Sequence, residues 1–268
     1  MPVLSITAAW NEAEAFVRRE ARLLFPIAFM LIALPTAVLQ LATPPADPGQ
    51  LPRPGLWLLF LALATVTSAI GSLALTYLAL QPGASVAEAL QRGARRFIVL
   101  VAAGVLVIGA AFLALVPLMV VLGAVGMAAS GAGPSAGLTA LIFAIAVAVA
   151  LVLSARLLLI TAVAAAEDVG PIAILRRSWD LTRPHFWKLL RFVLLILIVF
   201  LILSIVVFLV AGMAILAIAG PPQPGSLGAF LAALAAAALN MVFAVYVAAL
   251  HARIYRQLTG GGRGDVFA

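Results

Sequence analysis

The chain has 268 residues, of which 66% are hydrophobic and only 9% charged, with a net charge of +7; a soluble domain is about half apolar and about a quarter charged. So much apolar surface has no place inside a water-soluble fold of this length, and lipid is the solvent that fits it; the positive charge then points to anionic headgroups rather than nucleic acid. Cysteine is absent and histidine occurs only at His185 and His251, which leaves no disulfide framework, no cysteine nucleophile and no histidine-rich metal cluster.

Crossing the hydrocarbon core takes about 20 apolar residues in a helix. Six segments meet that length, at about 23–42, 56–80, 97–127, 137–166, 189–219 and 227–250. Turn chemistry separates them: Pro44-Pro45 through Pro54-Gly55, Gln81-Pro82-Gly83, Ser130 through Pro134, Gly170-Pro171, and Gly220 through Gly225. The third and fifth exceed the minimum and are expected to tilt or to extend beyond the lipid, and Pro117 is expected to kink the third. The expected fold is an all-α integral membrane protein, a single transmembrane domain of six helices over residues 1–268.

Basic residues fix the expected orientation. Arg18, Arg19 and Arg22 precede the first span; Arg92, Arg95 and Arg96 follow the second. Arg176, Arg177, Arg183, Lys188 and Arg191 follow the fourth, and Arg253, Arg256 and Arg263 follow the sixth. The three alternate connections hold Arg53 alone. By the positive-inside rule both termini are cytoplasmic. Glu12, Glu14 and Glu20 ahead of the first span, with no small-residue cleavage site after it, read as a retained anchor rather than a signal peptide. The preference for Arg over Lys and the high Ala content suggest a GC-rich bacterial genome, hence a bacterial inner membrane.

The three cytoplasmic-side segments share a plan, an amphipathic stretch leading into a pair of spans. They begin at Ile6, Ser85 and Gly170, about 80 to 86 residues apart, which reads as three parallel repeats of interfacial helix plus helical hairpin. Ser72, Arg156 and Asn240 lie at similar depth, spaced evenly by 84 residues. A pseudo-threefold bundle would bring them into one polar layer, with Ser72 and Asn240 accepting hydrogen bonds from Arg156. Two other readings stand beside it: Arg156 snorkels to the headgroups, or it marks a substrate or ion site. No acidic residue lies within any span, which argues against a proton-coupled pump.

The stretch from Gly170 to Lys188 carries the most information. Glu167 and Asp168 ahead of Gly170-Pro171 are helix-start signals. Ile172, Leu175 and Trp179 form one apolar stripe, with Arg176, Arg177, Asp180 and Arg183 away from it. Asp180 is expected to pair with Arg176 or Arg183, and Pro184 to turn the chain toward the fifth span. Trp179 and Trp187 suit the headgroup zone as anchors. Arg176, Arg177 and Arg183 alternatively form a basic pocket for a lipid phosphate.

The run from Ala173 through Thr182, followed by His185-Phe186-Trp187-Lys188-Leu189, resembles the motif of the glycerophosphoryl diester phosphodiesterase membrane-domain family and its relatives. The ending Leu250 through Gly260, with its Tyr255-Arg256-x-Leu258-x-Gly260 pattern, resembles the close of such proteins. The resemblance implies a six-helix membrane module over nearly the whole chain. In the members that hydrolyse glycerophosphodiesters, the chemistry belongs to a separate soluble barrel with acidic metal ligands and catalytic histidines. This chain has neither the room nor the residues for it.

The expectation is therefore a non-enzymatic membrane module without cofactor, metal or catalytic residue, acting in envelope or lipid homeostasis. It would hold an anionic lipid or a protein partner at the cytoplasmic face. The alternative is a transporter or lipid-handling permease with a polar site between the helices. A phosphodiesterase acting in its own right is the third reading.

Overall fold

The computed structural model describes residues 4–44, 53–130 and 136–260. The connection at residues 131–134 and Arg263 fall outside them, as does most of the first connection. Nine α-helices and two irregular turns fill the described residues, with no strand among them. Six helical stretches are long and apolar enough to cross a membrane, matching the six expected spans.

The first span is α1 (Ile6–Ala28), a π-helical turn (Phe29–Ala33) and α2 (Leu34–Ala42) in one rod. Pro35 has no N–H and its ring crowds the carbonyl four residues back. The turn ahead of it widens, and Leu34 N–H reaches the Phe29 carbonyl instead. Ser5 caps α1, accepting from Ala8 N–H, and its own N–H donates to Gln257 near the other end of the chain. The second span is α3 (Trp57–Leu80). After a tight turn at Gly83, with φ +89°, α4 (Val86–Ser130) starts with a reciprocal cap. Glu88 N–H donates to Ser85 Oγ, and Ser85 N–H to the Glu88 carboxylate. This helix runs unbroken from the second amphipathic segment through the third span, with Pro117 inside it.

The fourth span is interrupted. Its α5 (Ala136–Arg156) stops at Leu157 and α6 (Ile160–Ala166) completes it. Next come α7 (Pro171–Thr182), a 3₁₀ turn (Arg183–His185) and α8 (Phe186–Ala219); then α9 (Leu227–Thr259), which carries the sixth span past its expected end. Of the three amphipathic segments, only α7 is a separate helix. The first two continue directly into their spans, the first through Pro26 without a break, whereas the third is interrupted at Pro184, within the 3₁₀ turn.

α3 lies at the centre, against α2, α4, α6 and α9, and α9 also packs on α1 and α8. Close approach depends on two glycines. A Cβ on Gly71 would lie 2.9 Å from Leu31 Cβ, and one on Gly93 would lie 2.7 Å from the Ile70 carbonyl oxygen, so α4 seats its backbone on α3 where no side chain fits. The core gathers toward the arginine-rich end: Leu24, Leu73, Leu75, Leu159, Val163, Ile174, Leu189, Leu250 and Ile254 are fully enclosed there. By contrast α8 buries only Leu189 and Phe192, near its start, and presents the rest of its apolar length outward.

Candidate functional site: the arginine-rich face around α7

The site begins with the break in the fourth span. Ile160 N–H bonds the Leu157 carbonyl rather than that of Arg156, which frees the Arg156 carbonyl. Two buried hydroxyls of α7 take it: Ser178 Oγ donates at 3.0 Å, and Thr182 Oγ1 lies at 3.0 Å while also touching the Ser178 carbonyl. A side chain inserted into the backbone ladder is a recognised cause of a helix break. Here the Ser178 and Thr182 pair both interrupts α5 and docks α7 on the bundle.

The same residue carries a charged side chain. The Arg156 guanidinium lies 4.4 Å from the Phe186 ring centre and 4.9 Å from that of Trp179. Its Nε and Nη1 are buried and make no hydrogen bond. Two ring faces take the place of an anion, each worth about 0.5–2 kcal/mol depending on desolvation. The expected layer with Ser72 and Asn240 is not formed by hydrogen bonds. Ser72 donates to Ala69 in its own helix. Asn240 lines a groove of about 860 Å³ between α8 and α9, beside Gln40 and Ser204.

Two arginines counted above as rim charges turn inward. Arg96 Nε donates to the Ala164 carbonyl at 3.2 Å, and its Nη2 to the carbonyls of Glu167 and Val169 at 2.7 and 2.6 Å. Arg92 Nε donates to the Ala165 carbonyl, and its Nη1 meets Asp168 at 2.7 Å. Together they satisfy the carbonyls that α6 leaves open at its C-terminus, where positive charge also suits the helix dipole. The hydrogen bond from Arg92, helped by the charges of Arg92 and Arg96, holds the exposed Asp168 carboxyl below its usual range. What this carboxylate adds to stability is present above the ordinary carboxylate pKa and is lost as pH falls through the lowered one.

Glu167 ties α7 to α9. Its Oε1 accepts from Tyr255 Oη at 2.8 Å and from Arg177 Nε at 3.2 Å. Thr161 and His251 add a second link, 3.1 Å apart, between α6 and α9. The pairing expected between Asp180 and Arg176 or Arg183 is absent; the acid that engages α7 is Glu167, across the turn before the helix. The stripe of Ile172, Leu175 and Trp179 lies on the outer side of α7. Ile174, Ser178 and Thr182 face the bundle, while Ile172 and Trp179 are exposed. In lipid an apolar stripe is free to look outward, and the small hydroxyl side chains seek the protein.

Outward of α7 lie two neighbouring spaces. An apolar groove of about 520 Å³ runs between α4, α5 and α7, past Leu106, Ala110, Val149, Leu153 and Trp179. A polar hollow of about 420 Å³ is lined by Glu167, Arg176, Arg177 and Asp180. Ile172 and Arg176 border both. Arg183 and Trp187 are exposed just beyond, Trp187 at 69%. The candidate anchor residues Arg176, Arg177, Trp179, Asp180, Arg183 and Trp187 thus share one face of the α7–α8 corner. Arg92, Arg96, Glu167, Asp168 and Tyr255 belong to the same assembly. For Glu167 and Asp168 the sequence signalled a helix start, and for Tyr255 a terminal motif, but neither signal named a partner.

Six apolar spans and an arginine-rich face built on a broken helix are the features of a multi-pass, all-helical membrane protein. A family model described as "Domain of unknown function (DUF7847)" matches residues 4–258, so the chain belongs to that family. The match shows no link to the glycerophosphoryl diester phosphodiesterase membrane domain that the α7 motif resembles. No curated protein and no solved structure matches the chain.

Proposed function

We propose that this is a non-enzymatic module of a bacterial inner membrane, with both termini cytoplasmic, that holds a phospholipid at its arginine-rich face. The observation carrying this reading is Arg176, which lines both an apolar groove and a hollow bearing four charged side chains. A phospholipid needs both, a charged place for its phosphate and an apolar one for its chain. Trp179 and the outward Ile172 stand at the boundary between the two. The motif around α7, which resembles a membrane domain associated with glycerophospholipid enzymes, supports the same ligand class. Holding a phospholipid rather than cleaving it fits a role in envelope or lipid homeostasis.

The permease reading would rest on the groove at Asn240, which borders neither Ser72 nor Arg156. With the polar groups divided between separate places, holding is favoured over passage.

Native mass spectrometry of the purified protein reads the test. With Arg176→Gln, retained phospholipid is expected to fall about fivefold, in line with the ~1 kcal/mol upper range of an exposed charge contact. Unchanged retention contradicts the proposed site, and hydrolysis of a glycerophosphodiester by the purified protein contradicts the non-enzymatic reading.

A further inference from the structure

Resting on the lipid-holding reading, we infer that the headgroup taken at α7 is zwitterionic, a phosphate diester joined by a short spacer to a primary ammonium. The hollow is not simply basic. Four charged side chains line it, Arg176, Arg177, Glu167 and Asp180, and their formal charges cancel. Two of the four are already engaged, since Arg177 meets Glu167 at 3.2 Å and Tyr255 Oη holds the same carboxylate at 2.8 Å. That leaves one cation and one anion.

Arg176 and Asp180 are one helical turn apart on α7, and they form no ion pair with each other. Acid–base pairs at this spacing are favoured with the acid on the N-terminal side, and here the base precedes the acid. Both side chains are exposed and border the hollow, so a ligand meets opposite charges separated by about 5–6 Å at the Cβ positions. A phosphate on Arg176 then places an ammonium, two carbons further along the headgroup, toward Asp180. A headgroup carrying phosphate alone would set its negative charge beside the Asp180 carboxylate, and that repulsion selects against it. Arg176 supplies attraction for any phospholipid, and Asp180 supplies the choice between them.

The test uses the full-length protein, stripped of lipid and equilibrated with mixed vesicles. These contain equal amounts of a phosphoethanolamine lipid and a phosphoglycerol lipid with identical acyl chains. Bound lipid is identified by native mass spectrometry. The wild type is expected to enrich the phosphoethanolamine lipid about fivefold, the upper range for an exposed charge contact. Asp180→Asn should bring the ratio near one while total bound phospholipid is kept, and Arg176→Gln should lower both lipids together. Equal occupancy in the wild type, or enrichment of the phosphoglycerol lipid, overturns the zwitterion assignment, and if Arg176→Gln still lowers both lipids the phosphate site stands. If Arg176→Gln lowers neither, the underlying lipid-holding reading fails as well.

Discussion

Arg96→Leu is expected to lower the unfolding temperature in detergent by roughly 6–16 °C, given about 2–4 °C per kcal/mol for a chain of this size. The Arg96 side chain is largely buried and donates to three carbonyls at the end of α6, those of Ala164, Glu167 and Val169. Each hydrogen bond from a charged donor contributes about 1.5–3 kcal/mol. The three are not additive, so a total on the order of 3–4 kcal/mol is a reasonable scale. Leucine leaves those carbonyls without a partner in a region mostly closed to water. Arg95→Leu provides the control, because it removes the same charge one residue away from a side chain that faces outward. A shift of no more than about 1 °C is expected there, as for other exposed substitutions. Equal shifts for the two variants would mean that Arg96 acts only through its charge, and the capping role would be rejected.

Arg156→Leu is expected to cost on the order of 2 kcal/mol, the sum of two partly desolvated ring contacts. The guanidinium lies against Phe186 and Trp179, at the corner where α7 turns into α8. Leucine would keep the apolar packing and lose the cation. Trp179 emission should also change on substitution, because its ring face loses a charge 4.9 Å from its centre. A residue that merely snorkels would leave both melting temperature and emission unaltered, and that result would remove Arg156 from the site.

The six spans were legible in the sequence because length and hydropathy suffice when lipid is the solvent. The break after Arg156 was not, since Leu153 through Ile160 contains neither glycine nor proline. Its cause lies on another helix, in the hydroxyls of Ser178 and Thr182. No local pattern in α5 announces a carbonyl that will be claimed from α7. The roles of Arg92 and Arg96 were hidden for a related reason. Counting basic residues by segment assigns an orientation, but it does not separate a side chain that meets headgroups from one that closes a neighbouring helix.

The stripe on α7 shows that periodicity identifies a face without giving its direction. Periodicity identified Ile172, Leu175 and Trp179 as a face, correctly, but a helix on a membrane surface has two apolar neighbours to choose between. The bundle took Ile174, Ser178 and Thr182, and the larger side chains were left for lipid. Likewise the even spacing of Ser72, Arg156 and Asn240 did not bring their side chains into hydrogen bonds. A shared distance along the chain places residues in one layer only when the helices also share an orientation about their own axes.

The most direct test of the account is the sidedness of single cysteines, which the cysteine-free chain makes unambiguous. Gly55→Cys and Gln223→Cys lie in exposed connections at one end of the bundle, and Ala94→Cys and Arg183→Cys at the other, all at exposed positions. In sealed vesicles of one orientation, a membrane-impermeant maleimide should modify one pair and spare the other until the vesicles are opened. Modification of Gly55→Cys and Ala94→Cys from the same side would contradict a bundle of six crossings with its arginines gathered at one face.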